Sequence, residues 1–197
     1  YNLKDCLATF WVFKQYFPKL LADEQLGIYE DIMMPSAKLI TQMELHGMPI
    51  NMEEVHKAAH DLQTTKDQSL DIILNNAYTK KALYQIQLEE LDKINSKLKT
   101  KQHTFEKVED MVFNPGSPIQ LQTLLYDTLG LPVLDLTPTK NPATGAGTIE
   151  KLINHTEDPE VVELLEALIS LNKVDKILST FIPAFLASQP KGDWHYL

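Results

Sequence analysis

Residues 158–182 read DPEVVELLEALISLNKVDKILSTFI, and this stretch decides the fold class. Asp158-Pro159 opens a long helix, because Pro suits a first helical turn. At about 100° per residue, Leu164, Leu171, Val174, Leu178, Phe181 and, just beyond, Phe185 project to one side. The spacing predicts a helix to about Ile182, with Pro183 disrupting its end. Lys173, Lys176 and Thr180 fall near the opposite side. Three donors at i, i+3 and i+7 on one stripe can follow a phosphate backbone, and the same pattern also describes an ordinary solvated face.

Working outward, the same periodicity recurs. Residues 1–21 read as a helix from Tyr1, Phe10, Phe13, Phe17, Leu20 and Leu21, with Pro18 predicting a kink or break. Asp31 to Leu45 reads as a second helix, stopped by His46-Gly47. Met48 to Asn51 reads as a short extended crossing. Asn51 can cap a third helix from Met52 to about Tyr78, with Glu53 and Glu54 at its positive end. Lys80 to Leu98 reads as a fourth. Ser117-Pro118-Ile119-Gln120 has the pattern of a capping box, ended by Gly130-Leu131-Pro132. A polar loop of about 17 residues follows, a length that marks function or disorder, and Thr148 caps a short helix after it. The expected class is mainly all-α: long antiparallel helices with a small helical cluster at one end.

Composition removes several functions. The 197 residues carry 27 acids against 18 bases, a net charge of -9, which excludes a uniformly basic nucleic-acid coat but not a local patch. All the bases are Lys, and the densest run, Lys93, Lys97, Lys99, Lys101 and Lys107, faces only Glu106. That run reads as solvated surface or as contact with nucleic acid or a partner. One cysteine, Cys6, makes neither an internal disulfide nor a multi-cysteine zinc site; it reads as a buried small hydrophobe in a reducing compartment. No apolar run approaches the roughly 18 residues of a membrane span, so no membrane partner is expected. The chain starts abruptly inside a helix, as a piece of something longer would.

Little here is catalytic. His56 and His60 have a metal-compatible i, i+4 spacing, but neither an adjacent Glu nor a third ligand accompanies them. Tyr1 and Asp5 point one way from one helical turn, yet one carboxylate does not assemble a two-metal site. On residues alone the chain reads as a binding module.

Taken in order, six motifs resemble the DNA polymerase I (family A) polymerases. Tyr1-Asn2-Leu3-Lys4-Asp5 is similar to the Tyr-x-x-x-Asp motif near the end of the 3′–5′ exonuclease domain. Met34-Pro35, with Met43-Glu44-Leu45-His46-Gly47-Met48-Pro49-Ile50-Asn51, resembles the entry into the thumb. Phe113-Asn114-Pro115-Gly116-Ser117-Pro118-Ile119-Gln120-Leu121 resembles the thumb-tip signature, and 137–148 the loop after it. Residues 171–181 are similar to the long thumb helix, and Gly192-Asp193-Trp194-His195 to the lead into the palm. Residues 108–115 look most like phage replicative enzymes.

The resemblance implies three parts: residues 1–30 as the end of an exonuclease-like domain, 31–190 as a thumb with 79–107 as an extended or inserted segment, and 191–197 as the start of the palm. It implies a grip on primer–template duplex through the backbone during DNA replication. Asn114, Ser117 and Gln120 would lie at the tip, Thr139 and Lys140 in its mobile loop, and Lys173, Lys176, Ser179 and Thr180 on the long helix. Lys93, Lys97, Lys99, Lys101 and Lys107 would touch DNA directly or a processivity protein. The family's Arg before the helix lysines is replaced here by Ile169 or Ser170. No cofactor is expected in this segment. Mg2+ belongs to the parent enzyme, where Asp5 would join other carboxylates, and the expected location is the cytoplasm of a host cell. The competing reading is a non-catalytic helical interaction module. With Lys alone, contacts are point charges and not bidentate forks, which suits phosphate holding without sequence readout.

Overall fold

Apolar residues three and four apart fold most of the chain into helix, and almost no strand forms, in keeping with the all-α reading. The computed structural model describes residues 2–98, 102–191 and 194–196. The readings on Tyr1, Lys99, Lys101, Gly192 and Asp193 lie outside the described residues. By internal contacts the chain forms two units, one of residues 1–51 and 187–197, the other Met52–Leu186. The span 31–190 is a different division, since 31–51 sit with the first unit.

In the first unit, helix α1 (Asn2–Ala22) continues past Pro18, so of the expected kink or break the break does not occur. Proline removes only its own N–H from the ladder, and the next turn closes with Asp23 N–H on the Lys19 carbonyl at 2.9 Å. No α1 residue is buried, and Phe10, Trp11 and Phe13 are each more than half exposed. Cys6 is therefore exposed and not the buried hydrophobe its residue type suggested. A helical run then begins earlier than Asp31: α2 (Leu26–Ile28), a wider π-type turn (Tyr29–Met33) and α3 (Met34–His46) are continuous. Gly47, at φ 77°, ends it. Strand β1 (Met48–Pro49) pairs antiparallel with β3 (Trp194–Tyr196), Met48 opposite His195, and β2 (Gln189–Lys191) pairs with the other edge of β3.

The second unit opens with α4 (Met52–Asn75) and α5 (Ala77–Ser96). The break falls at Asn76, not between Tyr78 and Lys80. Its side-chain oxygen accepts the N–H groups of Tyr78 and Thr79 at 2.9 and 3.4 Å, a cap that starts a new helix. After α5 the chain folds back along it. Asn95 and His103 exchange two hydrogen bonds of 3.1 and 2.7 Å, and buried Gln87 donates to the carbonyls of Val108 and Glu109. Helix α6 (Pro118–Gln122) passes into a second π-type turn (Thr123–Thr128), closed at Gly130 with φ 66°. Helix α7 (Ala146–Leu152) starts from Gly145, so Thr148 lies inside it and is not its cap.

Helix α8 (Pro159–Lys176) is capped by Asp158, which accepts Glu160 N–H at 3.0 Å and the Tyr78 hydroxyl at 2.8 Å. That second bond, to a carboxylate, holds the Tyr78 hydroxyl above its ordinary pKa. A third π-type turn (Ile177–Phe181) leads into α9 (Ile182–Ala187), which contains Pro183 instead of ending before it. The wide turn holds an extra residue and shifts the helical phase. Phe181, expected on the buried face, is half exposed, and Ile182 is buried in its place.

Helices α4 and α8 run antiparallel, joined by Lys66–Asp175 at 2.6 Å, Ser69–Ser170 at 3.2 Å and Asn76–Glu160 at 3.4 Å. Between them and α7 lies the core. Leu164, Leu165 and Leu168 of α8 are fully buried with Ile73, Leu124, Leu125, Ile149 and Leu152. Each such side chain contributes about 1.5–3 kcal/mol. Among the described residues no helix is long and apolar enough to cross a membrane.

Candidate nucleic-acid interface

Burying one broad face of α8 leaves Asn172, Lys173, Asp175 and Lys176 outside, and Ser179 and Thr180 stay exposed in the turn beyond. Lys173 and Lys176 are both exposed, but they differ. Lys173 Nζ is paired with Glu150 Oε1 of α7 at 3.0 Å. Lys176 has no ion pair among the described residues. Both lysines also close the last turn of α8, where cations offset the helix dipole, so a purely local role has a physical basis too. Ile169 is buried and Ser170 bonds Ser69 of α4. The position expected to carry Arg therefore adds nothing to the stripe.

The turn before α6 is tied from within. Phe113 is buried, Asn114 Oδ1 accepts Gly116 N–H at 2.9 Å, and Gln120 Oε1 accepts Asn114 N–H at 2.7 Å. The expected capping box does not form: Ser117 occupies the cap position without a side-chain bond, and Gln120 reaches past it to Asn114. Asn114 and Gly116 then line one cleft with Lys66 of α4 and Asn172 and Asp175 of α8. The turn and the α8 stripe, far apart in sequence, flank the same end of the long helix.

Residues 135–143 form a small hairpin rather than an irregular loop. Leu136 bridges Pro142, Thr137 N–H donates to Asn141 O at 2.8 Å, and Lys140 N–H to Thr137 O at 2.8 Å. Lys140 takes the left-handed conformation, φ 63°, at the exposed tip beside Thr139. The base is held by Gln122 Nε2 on Pro142 O at 2.7 Å and by the Tyr126 hydroxyl on Ala143 O. Burial, with Asp135 adding to it, raises the Tyr126 pKa.

Asp135 fastens the hairpin to α7, accepting Lys151 Nζ at 2.8 and 2.9 Å and Thr148 Oγ1 at 3.0 Å. The Lys151 bond first, and Thr148 second, hold its carboxyl below the ordinary Asp range against the effect of burial. A depressed native pKa adds stability that is complete above the unfolded Asp value and is lost as pH falls through the native one. Asp135→Asn should therefore flatten the acid limb of melting temperature against pH and leave it unchanged near neutrality in slope. An acid limb identical to that of the parent chain would refute the assignment.

The remaining candidates lie elsewhere. Asp5 is exposed in the first turn of α1. Lys93, Lys97 and Lys107 are exposed on α5 and the segment returning along it, Lys93 sitting 3.8 Å from Glu90. His56 and His60 are exposed on α4. Among the described residues no three His, Cys, Asp or Glu side chains gather to hold a metal ion.

No protein-family model matches the chain. Among curated proteins, the DNA polymerase of Escherichia phage T5 is 28% identical over 190 residues, covering 95% of this chain and 19% of the relative. DNA polymerase I of Geobacillus stearothermophilus is 30% identical over 138 residues, covering 68% and 15%. DNA polymerase I of Bacillus subtilis (strain 168) is 22% identical over 164 residues, covering 83% and 14%. Over most of its length the chain is similar to a segment of DNA polymerase I (family A) sequences. It spans less than a fifth of the length of each of these polymerases.

Within this polymerase-related segment, residue patterns alone missed Lys66, Asp135 and Glu150. None belongs to a local motif. Lys66 meets Asp175 across 109 positions and Lys151 meets Asp135 across 16, and only the packing of α4, α7 and α8 brings such pairs together.

Proposed function

We propose that residues 31–190 serve as the thumb of a DNA-directed DNA polymerase, gripping primer–template duplex through its phosphates during replication. Residues 1–30 are then the end of a 3′–5′ exonuclease-like domain and 191–197 the start of the palm. The observation that carries this reading is the exposed run Lys173, Lys176, Ser179 and Thr180 at the end of α8. The Asn114 turn lies on one side of it, and α7, to which the Lys140 hairpin is fastened, on the other. Four donors on a rigid helix end can hold a backbone without reading bases. Lys93, Lys97 and Lys107 extend the grip in this reading; a processivity partner at 79–107 is the competing assignment for them.

The chain by itself is expected neither to polymerise nor to degrade DNA, and nucleotide incorporation by the purified 197-residue chain would overturn that. Magnesium chemistry falls to the parent protein, where Asp5 would join carboxylates supplied from outside this segment. The grip is tested by titrating a primer–template duplex at several salt concentrations. Log K should fall linearly with log salt, with a slope set by several phosphate contacts. Stable self-association without DNA binding would instead favour a helical protein-interaction module.

A further inference from the structure

We propose that Glu150 is an internal competitor for phosphate at Lys173, which sets how tightly the α8 stripe grips DNA; this rests on the reading of that stripe as a DNA-binding surface. Glu150 Oε1 lies 3.0 Å from Lys173 Nζ, at the kind of position a phosphate oxygen would take. Both side chains are more than half exposed, 52% for Glu150 and 63% for Lys173, so the pair is weak and opens readily.

Glu150 is not needed to hold α7 in place. Its neighbours Ile149 and Leu152 are fully buried against the α8 core, and Lys151 is engaged by Asp135. A helix fixed by those contacts presents the Glu150 carboxylate to Lys173 whether or not the ion pair forms. Lys176, one turn on, has no such competitor among the described residues.

When DNA arrives, Lys173 exchanges a carboxylate for a phosphate. Glu150 is left charged beside the duplex and takes up a cation from solution. That uptake cancels part of the cation release that drives binding. Glu150 therefore lowers affinity and makes its salt dependence shallower, which keeps the grip reversible.

The test uses the full chain and a fluorescein-labelled primer–template duplex of mixed sequence, read by anisotropy across a salt series, with Glu150→Gln, Lys173→Gln and the double variant. Glu150→Gln should bind about fivefold tighter at low salt, with a slope steeper by up to roughly one. The gain should vanish on the Lys173→Gln background, and the melting temperature should hold. Unchanged or weaker binding by Glu150→Gln overturns the proposal, as does a gain that persists without Lys173. Loss of binding in Lys173→Gln with no gain in Glu150→Gln leaves the DNA-binding surface standing and removes only the competitor. If Lys173→Gln binds normally, the surface assignment itself fails.

Discussion

The Lys173→Ala, Lys176→Ala double variant should bind primer–template duplex on the order of 50-fold more weakly near 0.1 M salt, since each phosphate contact carries about 0.9 unit of log–log salt slope. The slope should also fall by about two such units, and the loss should be the same for every DNA sequence. The two single variants should not be equal. Lys176→Ala removes a donor that has no ion pair among the described residues. Lys173→Ala removes a donor whose phosphate contact is already offset by its pairing with Glu150 at 3.0 Å, so it should cost less than Lys176→Ala. The order of the singles thus reports on the ion pair as well as on the stripe. Wild-type affinity and slope in the double variant would remove α8 from the interface.

Leu168→Ala should destabilise the second unit by about 3 kcal/mol, within the range of 2–5 for a buried Leu truncated to Ala. Leu168 has no exposed surface and lies in the cluster shared by α8, α7 and the turn after α6, so little around it can collapse into the void. Set against a typical stability of about 5–15 kcal/mol, the loss is a large share. It should appear as a fall of roughly 10 °C in melting temperature. Leu168→Met, which conserves volume, should cost under about 1.5 kcal/mol. Equal melting of the Ala variant and the parent would mean that Leu168 is not in the core.

Helix α8, which carries all three of these residues, also marks how much the sequence disclosed. Leu164, Leu171 and Val174 lie on the buried face that periodicity assigned them, because α8 is a regular helix from Asp158 onward. The register fails at Phe181 because a π-type turn intervenes, and single-residue shifts of hydrogen-bond pattern leave no composition signal. Asn76 could have been found: it is a capping residue type between two apolar stripes, but Tyr78 offered a more obvious end to the first. Gln120 was expected to accept Ser117 N–H, but that group donates to the Asn114 carbonyl at 3.0 Å and Gln120 accepts Asn114 N–H instead. For the interface, the lysines were legible as a stripe and their partners were not. Glu150 comes from a separate helix, and an ion pair between separate helices has no spacing to recognise. Cys6 failed for another reason: its burial was read from residue type alone, which does not say which face of a helix is covered.

The small sheet bears on the order of assembly. Met48 emerges during synthesis long before its partner His195 exists, and β2 and β3 are made only after all of Met52–Leu186. The contacts of that second unit lie within its own stretch and need not wait. Pairings so distant in the chain are slow to form. The sheet is therefore expected to form later than the contacts within Met52–Leu186, a lag that pulse-labelled hydrogen exchange would read.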